Sequence, residues 1–203
     1  MKPISDQQNF LVRGRRFLRW TGRFFYILGG LTVAYVALTL LYAKLYQHTA
    51  AGLLESQIHA EEGTPAPKSR PPAKEGDILG RLEIPGIKLS VIVLEGTTTK
   101  TLRLGAGHIV GTALPGEHGN IAIAAHRDTW FRALKDIHRY DIISLKTPAG
   151  TSTYQVDWIQ ITTPGDVTIL TTADGSSLTL VTCYPFQYIG AAPERFIVHA
   201  RKQ

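Results

Sequence analysis

Residues 178–186 read LTLVTCYPF and contain Cys183, the only cysteine in the chain. Leu178, Leu180 and Thr182 alternate with Thr179, Val181 and Cys183, which is the two-residue period of a strand with two distinct faces. Pro185 has no N–H to give to a ladder, so the strand is expected to end just past the thiol. Cys183 then sits where a rigid scaffold meets a loop, a common place for reactive groups. A lone cysteine forms no intrachain disulfide. It is a buried small hydrophobe, a link between chains, or a working thiol.

Outward from this strand the texture stays β-rich. GRLEIPGIKLSVIVLEG (80–96) offers two short strands split by Pro85-Gly86. Residues 97–104 suit a short helix, and NIAIAA (120–125) is a compact apolar strand. Asp128 is a candidate N-cap for a helix over TWFRALKDI, with Phe131, Leu134 and Ile137 at helical spacing. Further strands are expected at 141–146, 153–161 and 196–200, and Asp174-Gly175 is a turn signal before the Cys183 strand. GAGHIVG (105–111) lacks the context of a phosphate-binding loop and reads as a glycine-containing loop. Many short strands with one or two short helices predict a mainly β domain, a closed barrel or a sandwich, over residues 77–203.

The N-terminal part is of a different kind. Residues 1–23 carry +5 of the chain's net charge of +6. The basicity is thus a local tag rather than a face for nucleic acid. The tag is followed by FFYILGGLTVAYVALTLLY (24–42), 19 uncharged and mostly apolar residues, long enough for a helix across a bilayer. The run is longer than the apolar core of a cleaved signal, and residues 48–51 offer a poor cleavage pattern. Residues 24–43 are therefore expected to be a transmembrane signal anchor, with 1–23 in the cytoplasm and the rest outside. Residues 44–62 can continue as a juxtamembrane helix with Leu53, Leu54 and Ile58 on one face, and the proline-rich 63–76 reads as a stiff stalk.

A working thiol needs a base or a cation beside it. Of seven histidines, His126 alone ends an apolar strand where the chain turns, as Cys183 does. Two such residues at strand ends of one small barrel can meet, although spacing alone favours a structural histidine and a buried cysteine. Arg195 is the candidate cation. It follows an eleven-residue stretch, 184–194, after the cysteine strand and can stabilise an oxyanion; the alternative is an arginine paired with Glu194 or solvated. Arg127 is an alternative cation, and a structural salt bridge to Asp128 or Asp141 is an equally good account of it. The scattered histidines do not make a zinc site.

LTLVTC resembles the TLxTC signature of sortases, the cysteine transpeptidases of bacterial cell surfaces. AAHRDTWF (124–131) is similar to the family's GHRDTxF, with Ala125 where glycine is common, and APERFIVHA (192–200) matches around Arg195. LEIPGI (82–87) and GHIVGTALPGEHGN (107–120) extend the likeness over nearly all of 77–203. CYPF and the APxRFIV ending look most like class D. The resemblance implies an eight-stranded β-barrel, Cys183 as nucleophile, His126 as acid and base, and Arg195 as the oxyanion and substrate clamp. It places Thr182 and Tyr184 in substrate binding, Thr182 through its backbone or hydroxyl. It implies an LPxTG-like sorting signal as acyl donor, an amine of a cell-wall precursor or pilin lysine as acceptor, and no cofactor or metal. Two rival readings of the same residues are a thiol hydrolase and a non-catalytic, membrane-tethered barrel that binds a partner.

Overall fold

The computed structural model describes residues 4–61, 73–170 and 175–203, with side chains from residue 19 within the first of these ranges and up to residue 58. Four prolines of the expected stalk and Asp174 of the expected turn lie outside the described residues. Residues 1–42 and 43–203 form separate compact units.

Eight strands close into a barrel. β1 (Ile78–Ile84) and β2 (Leu89–Glu95) form an antiparallel pair, joined by a 3-10 turn over Pro85–Ile87. Proline suits the first position of that turn because its missing N–H has no partner there in any case. α2 (Thr99–Leu104) follows, with the Thr98 hydroxyl accepting from the Thr101 N–H as its N-cap. It crosses over to β3 (Ala106–His108), which lies parallel to β2. β4 (Asn120–Ala124) runs antiparallel to β3. β5 (Ile142–Thr147) and β6 (Gly150–Thr162) then pair on the far side, and β5 closes against β1. β7 (Ser177–Tyr184) returns to lie parallel to β4, and β8 (Glu194–Lys202) fits between β7 and β6.

The interior is filled by one face of each strand. Leu82, Val91, Ile123, Leu145, Leu180 and Val198 are among the fully buried residues there. The predicted alternation on the cysteine strand holds: Leu178 and Leu180 point into this core, and Thr179, Val181 and Cys183 share the other face.

Three local expectations change. GAGH is not a loop but contributes β3, and its glycines let the backbone come close: a Cβ on Gly107 would run into the Gly96 carbonyl oxygen. Asp128 does not cap a helix. The chain turns instead on the His126 carbonyl, and a 3-10 turn over Arg132–Asp136 follows, although Phe131, Leu134 and Ile137 are buried as their spacing predicted.

The third change concerns residues 43–58, which continue the helix α1 (Ile4–Glu61) and belong to the barrel's own unit. Ala50 and Leu54 are buried against Ile92 and Leu94 on the outer face of β2. Gln47 accepts from the Ile92 N–H at 2.8 Å and donates to the Leu104 carbonyl at 2.5 Å, satisfying backbone groups that the short β3 leaves without a ladder partner. Ile58 packs beside them, but Leu53 faces solvent. The proline-rich segment therefore joins two elements of one folded unit. In the other unit, the side chains of Phe24, Phe25, Leu31 and Leu38 are exposed on a helix long and apolar enough to cross a membrane by length and composition.

Candidate active site

Barrel order brings the predicted residues together. β4, β7 and β8 are neighbours, although β4 and β7 are separated in sequence by two other strands. Cys183 and Arg195 are directly opposed partners in the antiparallel β7–β8 pair, so their side chains leave the same face. Directly opposed Cβ atoms stand about 4.5–5.5 Å apart. On the other side of β7, Ala124 is the parallel partner of Val181, and the Ala125 N–H donates to the Val181 carbonyl at 3.2 Å, carrying the pairing past the end of β4. Continued two residues past this last strand pair, the same register sets His126 beside Cys183 on the same face, neighbouring strands being about 4.8 Å apart. Cys183, His126 and Arg195 thus stand at the ends of three neighbouring strands, and none of the three faces the packed interior. All three are half-buried, and the thiol is free.

Two hydrogen-bonded anchors hold His126 in place. Its own carbonyl accepts from the Phe131 N–H at 3.0 Å and the Thr129 N–H at 3.4 Å, and the buried Phe131 ring pins the turn. The preceding carbonyl, Ala125, accepts from the Thr182 hydroxyl at 2.7 Å. Thr182 is buried and points inward with Leu180, so its hydroxyl is turned away from the face that carries Cys183. Its side chain acts on the site by tying β7 to β4 one residue before His126.

Arg195 Nη1 donates to the carbonyls of Glu194 at 2.9 Å and Ala192 at 3.3 Å. Among the described residues no carboxylate pairs with it, so the cation is braced by its own loop rather than neutralised. Tyr184 stacks on Phe196 with ring centroids 6.2 Å apart, and Phe186 meets both rings edge-on. These rings seat the start of the β7–β8 loop, residues 185–193, whose first peptide bond, Tyr184–Pro185, is cis. Arg127 does not pair with Asp128 or Asp141. It reaches the same loop and donates to the carbonyls of Tyr188 and Gly190, while Asp141 accepts from the His138 backbone.

Some buried polar groups escaped the sequence reading. His108 and Glu95 are register partners on β3 and β2, with Nδ1 and Oε2 2.8 Å apart, and His108 Nε2 lies 3.0 Å from the Ala113 carbonyl. Asn120 Oδ1 accepts from the Ser177 and Thr179 hydroxyls on the outer face of β7. The parallel pairings that create these contacts carry no local sequence signal. Among the described residues, no group of three or more His, Cys, Asp or Glu converges as a metal site would require.

A half-buried thiol with a histidine and an arginine at the neighbouring strand ends has the residue types that acyl transfer calls for: nucleophile, proton carrier and oxyanion donor. Comparison with known proteins agrees with this class. The sortase domain model matches residues 82–203. The chain belongs to the sortase family. It is 36% identical to Sortase D of Bacillus subtilis (strain 168) over 128 residues, which is 63% of this chain and 65% of that relative's length. A Clostridium perfringens Sortase D5 transpeptidase has the same fold, with a TM-score of 0.65 and 26% identity over 78% of this chain and 98% of the other. C. perfringens sortase C, solved with the C-terminal cell wall sorting motif, gives a TM-score of 0.59 at 28% identity over 74% of this chain and 87% of its own.

Proposed function

We propose that this protein is a membrane-anchored transpeptidase that cleaves an LPxTG-like C-terminal sorting signal and joins the released protein to an amine. The observation that carries the reading is the direct register pairing of Cys183 with Arg195, with His126 at the end of the adjoining strand. Cys183 Sγ gives its proton to His126 and attacks the scissile carbonyl carbon. Arg195 stabilises the charge that develops on the oxygen. The carbon–nitrogen bond breaks, His126 returns the proton to the leaving amine, and a thioester remains on Cys183. An incoming amine attacks that thioester and gives its proton to His126. The new amide forms, and the thiolate recovers the proton. Thr182 and Tyr184 shape the groove, the first by bracing Ala125 and the second through the aromatic cluster at the foot of the loop.

In this reading residues 1–23 are a cytoplasmic tail, 24–43 the anchor, 44–76 the juxtamembrane and proline-rich connection, and 77–203 the catalytic barrel outside the membrane. The basic tail before an apolar helix supports that orientation. Substrate tethered to the same membrane face meets the enzyme at a raised effective concentration. The acceptor is a cell-wall precursor amine or a pilin lysine.

The test uses the full chain in detergent micelles, a library of LPxTG-like peptides and intact-mass spectrometry. An acyl adduct is expected on the wild type, absent in Cys183→Ala, that clears faster when an amine is added. Clearance at the same rate with and without amine would make the protein a thiol hydrolase. A folded protein with an alkylatable thiol that forms no adduct with any peptide would leave a binding barrel.

A further inference from the structure

Arg127 is the cation on this rim that the mechanism does not use. It follows His126 in sequence, yet its partners lie more than sixty residues away, on the loop between the Cys183 and Arg195 strands. Nη2 donates to the Tyr188 carbonyl at 2.5 Å and to the Gly190 carbonyl at 3.2 Å. The guanidinium carbon also stands 5.9 Å from the centre of the Tyr188 ring. The two gripped carbonyls flank Ile189, whose side chain is held out into solvent at 97% exposure.

The loop is fixed at both ends by strands, and at its foot by Phe186, whose ring lies 5.1 Å from that of Phe196. Arg127 supplies a contact at the far end of the loop. A planar guanidinium can meet carbonyls on either side of a single residue, which an ammonium does poorly. The arrangement also has a cost: Arg127 Nη1 is buried without a hydrogen-bond partner. A buried donor left unpaired is unfavourable, so simple stability is a weak reason for this arginine to be here. Ile189 is an aliphatic side chain left fully exposed on the loop that joins the Cys183 and Arg195 strands.

We infer that Arg127 is a positioning residue that locks the β7–β8 loop to the His126 turn and holds Ile189 out as an apolar contact for the acyl-donor peptide. The inference rests on the acyl-transfer reading above for its substrate. The clamp itself stands on the hydrogen bonds. Because Arg127 and His126 are consecutive, a loop that shifts when peptide binds pulls directly on the residue that must carry the proton.

The experiment compares the full-length wild type in micelles with Arg127→Ala, Arg127→Lys and Ile189→Ser. It reads hydrogen exchange across 185–193, kcat and KM for a peptide that wild type acylates, and the rate of Cys183 alkylation by iodoacetamide. In Arg127→Ala, exchange in the loop is expected to quicken about tenfold or more while residues 178–182 stay protected, because two charge-assisted bonds are lost locally. KM should rise while alkylation stays within about twofold, since the thiol itself is untouched. Arg127→Lys should recover part of both effects. Ile189→Ser should raise KM with loop exchange unchanged. Unchanged loop exchange in Arg127→Ala would overturn the clamp. A loosened loop with KM unmoved in both Arg127→Ala and Ile189→Ser would overturn the peptide contact. If wild type acylates no peptide, that failure belongs to the acyl-transfer reading, and the exchange measurement still decides the clamp.

Discussion

The outer wall of this barrel is used in two opposite ways. On β2 it is apolar: Ile92 and Leu94 point outward and are sealed by Ala50 and Leu54 of the helix. On β7 and β8 it carries Cys183 and Arg195, and the wall there stays half-open, flanked by a loop rather than covered by a helix. A closed barrel has already buried its inner face. What a strand shows outward is therefore free to specify either a docking surface or a reaction site. Side-chain chemistry decides which: branched aliphatics call for a cover, and a thiol and a guanidinium need a path to substrate.

The largest expected effects lie on the open side. Cys183→Ala should reduce acyl transfer by about 10³-fold or more while the melting temperature holds, since an outward-facing thiol adds little to the core. Arg195→Ala should lower kcat by about 10²–10³-fold if its guanidinium serves the oxyanion. Arg195→Lys should restore little of this, because an ammonium cannot keep both loop carbonyls and reach the substrate. Steady-state kinetics on the acylated peptide decides both. Full activity in Arg195→Lys would reduce the residue to a generic positive charge.

On the covered side the effect should fall on stability and spare the chemistry. Leu54→Ala removes a side chain that is 1% exposed. It should cost about 2–3 kcal/mol in urea denaturation, near the lower end for such deletions because a helix on an outer face can settle toward the gap. Alkylation of Cys183 should proceed at the wild-type rate. A Leu54→Ala protein as stable as wild type would mean that residues 43–58 lie on the barrel without holding it.

Much of this division was legible in the sequence where a feature depends on near neighbours. Period-two alternation in 178–183 correctly assigned Cys183 to one face and Thr182 to the other. The barrel then pairs β7 with both β4 and β8, which sets Cys183 opposite Arg195. Features that depend on distant pairing were not legible. β3 is three residues long and includes a glycine, too short to show a period. The partners of Arg127 sit in a loop that no local rule connects to it, whereas the adjacent Asp128 offered a ready but wrong salt bridge. The same Asp128 looked like a helix cap because cap chemistry is local, yet the turn is closed by a tertiary tie on His126 and the burial of Phe131. The docking of 43–58 was half legible. Leu54 and Ile58 do share one face, the packed one, but Leu53 cannot join them, because consecutive helical residues point about 100° apart.

Thr182→Val tests the connection between core and site. The variant keeps the shape and loses the hydroxyl, leaving the Ala125 carbonyl without that donor. It should cost about 1–2 kcal/mol of stability. It should also slow acylation more than it slows alkylation of Cys183, because the tie it removes positions His126 rather than the thiol. Equal slowing of both would show that the hydroxyl merely supports β7.

The smallest expected effect concerns the same outer face farther along β8, where His199 pairs in register with Thr179 on one side and Trp158 on the other. Its ring stacks on Trp158 with centroids 4.8 Å apart, and neither ring nitrogen has a hydrogen bond. The groups around it are few. Thr179 is neutral and commits its hydroxyl to Asn120, and Asp157 Oδ2 is 3.4 Å from Nδ1 but already bonded by Arg201. Burial holds the His199 pKa below its usual value, the Asp157 charge offsets part of this, and Arg201 adds to it. A histidine whose folded pKa is depressed binds its proton more readily in the unfolded chain. Its contribution to stability is therefore complete above the ordinary histidine range near pH 6.5 and declines as pH falls through that range toward the lower folded value. His199→Phe keeps the stack on Trp158 and removes the titrating group. Urea midpoints measured at pH 7.5 and at pH 5 should fall less between the two conditions in the variant than in wild type. Parallel losses in both proteins would assign the acid sensitivity to other groups and leave His199 as a stacking residue alone.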